Sequence, residues 1–180
     1  MSDHNPYEAS SSSYSIAEPD GNQRRDSGPS GIGGWLILIA IGVVVSPIRL
    51  GILMLTVFVP VFTGTTWETL TSPGSASYHP LWGPLLVFEL IGNLAFLLIG
   101  IVTAILFFRK SRWFPKVYIA TMFCSFCYVL LDAWFVSLVL SNEPIFDAET
   151  TKELVRPLVA TLIWGPYLII SNRAKNTFVV

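Results

Sequence analysis

Charge is what this chain has least of: Asp, Glu, Lys and Arg make up 13% of its 180 residues, against about 25% in an ordinary soluble domain. That shortage, with 52% hydrophobic residues and a mean hydropathy of +0.60, points to lipid as the solvent. The basic excess that phosphate binding requires is missing too, since the net charge is -1, so nucleic acid is excluded as a partner. With two cysteines and two histidines in all, there is neither a disulfide framework nor a plausible zinc ligand set. Strand-like alternation is absent, which excludes a membrane barrel, because open strand edges are not tolerated in lipid.

What the chain does have is long apolar runs. A hydrocarbon core about 30 Å thick requires about 20 mostly apolar helical residues, and four segments meet or approach this: 34–62, 84–108, 117–140 and 154–171. The first 33 residues are instead rich in Ser, Gly, Pro, Asn and Asp without an apolar face, the composition of a disordered tail. Arg24 and Arg25 precede the first run, but the run is far longer than a signal-peptide core of about 7–15 residues, and Asp26 follows the pair. The expectation is an all-α integral membrane bundle of four transmembrane helices, residues 34–180, behind a disordered cytoplasmic tail of residues 1–33. The lipid bilayer is then its first partner, with a homo-oligomer or another membrane protein as a possible second.

Orientation follows from lysine and arginine placement. Arg109, Lys110, Arg112 and Lys116 lie between the second and third spans, and Arg173 and Lys175 follow the fourth, whereas the segment 63–82 has no Lys or Arg and 141–153 has only Lys152 among four acids. Both termini are therefore expected in the cytoplasm. Trp35, Trp113, Phe114 and Tyr118 then belong to one interface and Trp67, Tyr78 and Trp82 to the other, as aromatic belts do.

Within VVVSPIRLGIL stands Arg49, an unexpected charge in an apolar run. Counting about 1.5 Å per residue from the cytoplasmic side, Arg49 lies roughly 20 Å up, Asn93, Asp132 and Arg156 roughly 22 Å and Glu89 roughly 28 Å. An unpaired charge at mid-membrane costs about 2.5–3.5 kcal/mol on insertion scales. The expectation is a buried intramembrane network in which Arg49 pairs with Asp132 or Glu89, Asn93 adds amide hydrogen bonds and Arg156 completes the balance. Such a network serves either to fix helix packing or to mark the path of a small transporter or proton-linked sensor using Glu89 and Asp132.

Other motifs carry less. Cys124 and Cys127 form a C-x-x-C pair of the kind a membrane thiol oxidoreductase would use, but they fall inside the bilayer with no further cysteine to relay electrons, so apolar packing is the simpler reading. GIGGW, residues 31–35, has the wrong spacing for a dinucleotide loop and reads as a flexible approach to the first helix. His4 and His79 are two isolated histidines, which do not make a metal site. Thr150 and Glu153 have capping-box spacing for the fourth helix, and Pro157 and Pro166 interrupt it. Gly42 with Ser46, Gly100 with Ala104, and Ala133 with Ser137 would let helices approach closely. No catalytic, cofactor-binding or metal-ligating set emerges, and a non-enzymatic membrane component is the leading reading.

GIGGWLILIAIG, SPIRL, FPKVYIA, LLDAW and IWGPYLIISNRAKNTF together resemble a bacterial family with four spans, catalogued as domain of unknown function 2569. The resemblance covers residues 31 to about 179, and the closing segment is its most specific part; CSFC is not part of the pattern. It implies a location in the bacterial cytoplasmic (inner) membrane and four helices, and implies no activity.

Overall fold

The structure, a computed structural model, describes residues 28–140 and 148–179. Its elements are α1 (Trp35–Leu53), a π-helical segment (Met54–Phe58), α2 (Val59–Thr63), α3 (Thr66–Thr71), α4 (Trp82–Phe108), α5 (Phe114–Val139), α6 (Ala148–Ile170) and α7 (Asn172–Thr177). α1, the π segment and α2 run on as one span, Trp35–Thr63, and among the described residues four helices are long and apolar enough to cross a membrane. The protein is an all-α integral membrane bundle. At about 1.5 Å per residue the 27 residues of α4 extend about 40 Å, more than a bilayer core, so this helix tilts or projects from it.

Burial is the reverse of a soluble core. Leu55 and Ile170 are 69% and 70% exposed, and Ile37, Ile41, Ile48, Ile91 and Leu98 are exposed as well, an apolar exterior that faces lipid. Hydroxyls within the spans satisfy themselves locally. Ser46 donates to the Gly42 carbonyl (2.7 Å), Thr103 to Ile99 (2.7 Å), Thr121 to Val117 (2.8 Å) and Thr161 to Pro157 (2.7 Å), each an i→i−4 bond.

The spans pack in series, α1 on α4, α4 on α5 and α5 on α6, and nothing comparable joins α1 to α6. Gly100 of α4 lies against Pro47 of α1, where an added methyl group would stand 3.4 Å from the Pro47 ring, an ordinary contact distance. Where the termini meet, Leu36, Ile39, Val43, Phe107, Phe114, Leu168, Ala174 and Phe178 form a buried cluster. Phe178 stacks on Phe114 (4.6 Å) and Phe107 (5.6 Å), which meet each other at 5.0 Å.

Three local features depart from the sequence reading. GIGGW is tied to α7 and is no loose leader: Gly31 and Gly34 take positive φ (86° and 56°), a conformation that suits glycine, and the Gly31 N–H donates to the Thr177 hydroxyl (2.9 Å), which donates to the Arg173 carbonyl (2.7 Å). Contacts with α7 therefore begin upstream of residue 34; residues 1–27 of the expected tail lie outside the described residues. α6 already includes Ala148, so Thr150 sits inside the helix and not at its cap. The π segment was not anticipated. Pro60 has no N–H to bond the carbonyl four residues back, and immediately before it the Val59 N–H reaches the Met54 carbonyl, five residues away, the signature of a π turn.

Candidate functional site: a polar cavity between the spans

The helix order brings α1, α4, α5 and α6 around a cavity of about 690 Å³, within the range of about 300–1,000 Å³ common for small-molecule sites. Glu89 and Asn93 of α4, Asp132 of α5, and Arg156 of α6 all line it, as does Glu153, one turn from Arg156. Four of the five residues singled out in sequence thus share one wall. Glu153, read in sequence only as a capping residue, joins them; its i,i+3 relation to Arg156 was the available signal.

Arg49 does not belong to this wall. It is exposed on α1 and absent from the cavity lining, although its neighbours Ser46, Pro47, Leu50 and Leu53 contribute to it. The reason is helical phase: residues 46, 50, 53 and 57 follow an i, i+4, i+7, i+11 stripe, and residue 49 falls beside that stripe. Among the described residues no ion pair joins Arg49 to Glu89 or Asp132 within 4.0 Å, so the expected pairing is not formed.

The amide of Asn93 also turns elsewhere, donating to the Glu89 carbonyl of its own helix (2.8 Å). The Tyr128 hydroxyl donates to that same carbonyl across the α4–α5 contact (3.3 Å). Tyr128 is held in place by Phe88, stacked at 5.2 Å, and by Phe96, edge-on at 5.3 Å. This fixes the levels of α4 and α5, so that Asp132, one turn beyond Tyr128 on α5, comes to the level of Glu89. One carboxylate oxygen of Asp132 is buried and accepts no hydrogen bond among the described residues.

The two ends of the cavity differ. Towards the termini its lining is Gly100, Thr103, Tyr118 and Trp164, above the buried aromatic cluster. Towards the opposite end come Phe58, Glu89, Asp132 and Glu153, so the charge is concentrated away from the closed end. Among the described residues no three His, Cys, Asp or Glu side chains converge closely enough to hold a metal ion. Cys124 and Cys127 are free and exposed on the outside of α5, away from the cavity.

The chain matches the family described as protein of unknown function (DUF2569) over residues 29–179. The chain belongs to this family. It is also similar to the inner membrane protein YdgK of Escherichia coli (strain K12), 26% identical over 151 residues that cover 84% of this chain and 95% of the relative. No solved structure matches it. The match begins at residue 29, so the family domain takes in the glycine-rich segment seated on α7 as well as the four spans, and the closing segment IWGPYLIISNRAKNTF contributes Leu168, Ala174 and Phe178 to the terminal cluster.

Proposed function

We propose that this DUF2569 protein is a non-enzymatic component of the bacterial inner membrane, with both termini in the cytoplasm, that admits a polar ligand into the half of the bundle away from its termini and senses or transports it. Glu89 and Asp132 are the ionisable groups of that site, where gaining or losing a proton changes the charge of a low-dielectric wall. The observation that carries this reading is that Glu89, Asn93, Asp132, Glu153 and Arg156 face a common cavity without closing into ion pairs with one another among the described residues. A purely structural network would be dry and mutually paired, because a buried charge without a partner is costly.

The test combines access and folding. In a Cys124→Ala/Cys127→Ala background, Val129→Cys, on the cavity wall, should react with a membrane-impermeant thiol reagent added from the periplasmic side. Asp132→Asn should retain its folded yield in detergent. An unreactive Val129→Cys, or loss of folded protein in Asp132→Asn, would return the polar residues to a packing role.

A further inference from the structure

We infer that the cavity takes an amphiphile with a cationic amine head and a single alkyl chain, drawn from the bilayer between α1 and α6, with the amine resting against Glu89 and Asp132. This rests on the ligand-admitting reading above and names the chemistry of the ligand. The lining contains three carboxylates, Glu89, Asp132 and Glu153, and one guanidinium, Arg156. Glu153 and Arg156 stand three residues apart on α6 and, among the described residues, form no ion pair within 4.0 Å. The wall holds two more carboxylates than cations, and among the described residues neither Glu89 nor Asp132 forms an ion pair with Arg156 or Arg49. An ammonium supplies what they lack: a positive charge, and N–H donors for the buried Asp132 oxygen that accepts no hydrogen bond among the described residues. Tyr128 and Phe96 also line the cavity, and aromatic rings attract a cation.

The rest of the lining selects the tail. Leu50, Leu53, Val57, Phe58, Met122 and Val129 offer an alkyl chain a continuous apolar surface of the kind that rewards burial of methylene groups. The route comes from the helix order. α1 and α6 lack the packing that joins the other neighbouring spans, and Trp35 and Trp164, ring centroids 6.2 Å apart, bring them together at the end that carries the termini. Above that contact α1 and α6 are not packed on each other, and this seam is the proposed route from the bilayer to the site.

Radiolabelled dodecylamine, bound to the full chain in phosphatidylcholine nanodiscs and corrected with empty nanodiscs, tests this directly. Saturable binding is expected, with unlabelled dodecylamine competing at least tenfold better than dodecanol, dodecanoate or butylamine. The double substitution Glu89→Gln/Asp132→Asn should weaken binding at least tenfold. Equal competition by dodecanol or dodecanoate would overturn the amine head, equal competition by butylamine would overturn the alkyl chain, and absence of saturable binding would overturn both. If the double variant fails to fold, the headgroup series on the unaltered protein still decides. Failure here alongside a reactive Val129→Cys and a folded Asp132→Asn would reject the ligand class and leave the ligand-admitting cavity standing.

Discussion

Arg49 shows how much one residue's helical phase decides. In the sequence it is the most conspicuous charge, and its depth near Asn93 and Asp132 made a shared network the economical reading. Depth is legible from sequence because rise per residue is fixed. Facing direction is less so in a span that is apolar on every side, where no amphipathic stripe announces which face turns inward. Exposed on α1, Arg49 lacks the intrahelical-bundle role that would make it necessary. Replacing Arg49 with Leu is accordingly expected to leave the folded fraction in an SDS-titration unfolding experiment unchanged or to raise it, with about 2.5–3.5 kcal/mol of insertion cost as the upper limit of the gain. Destabilisation by more than about 1 kcal/mol, near the mean cost of any substitution, would show that Arg49 holds a partner after all. Glu89, Asn93, Asp132 and Arg156 were found by the same depth count and do line one cavity, the first three half-buried and Arg156 exposed.

Among the elements, α7 and the glycine segment before α1 changed most between sequence and structure. Six residues, Asn172–Thr177, are too few to form a stable helix alone, and the sequence gives no periodic signal over so short a stretch. The helix exists because its ends are satisfied from outside. The Ser171 hydroxyl accepts from the Ala174 N–H at its start (3.4 Å), Gly31 meets Thr177 at its end, and Phe178 enters the aromatic cluster. The turn from α4 to α5 is another case. Ser111 N–H bonds the Leu106 carbonyl and Lys110 N–H the Phe107 carbonyl, both at 3.0 Å, which is a Schellman closure with Lys110 at φ 53° in the position where glycine is usual. The sequence carried no glycine to signal it. The four spans, by contrast, were readable in number and order, since length and hydropathy alone decide them, although α6 starts at Ala148, six residues before the expected 154. If α7 is held by its cluster, Phe178→Ala should cost about 3 kcal/mol, the lower end of the range for a buried aromatic because a terminal segment relaxes readily. SDS-titration unfolding measures this, and a change below about 0.5 kcal/mol would mean that the ring contributes no closure.

At the scale of the whole molecule, the spans, the cluster and the cavity make an asymmetric bundle: closed by aromatics where the termini meet, and charged towards the other end. Which end faces the cytoplasm is an electrostatic matter, decided by the lysines and arginines flanking the spans and not by packing. Arg109, Lys110, Arg112 and Lys116 lie at the same end as Arg173 and Lys175, because the α4–α5 turn and α7 share the Phe107, Phe114 and Phe178 cluster; the segment leading from α2 to α4 carries no Lys or Arg between Thr63 and Trp82. Translocating the basic end would oppose the rule at two separate points, so the bundle should insert with that end inward and the cavity's charged half towards the periplasm. Fusing green fluorescent protein after Val180 should give fluorescence and fusing alkaline phosphatase there should give no activity, whereas alkaline phosphatase placed after Ser77 should be active. Neutralising Arg109, Lys110, Arg112 and Lys116 together should produce a mixed population in the same assay. Active phosphatase at the C-terminus of the unaltered chain would invert the bundle and turn the cavity's charged half towards the cytoplasm.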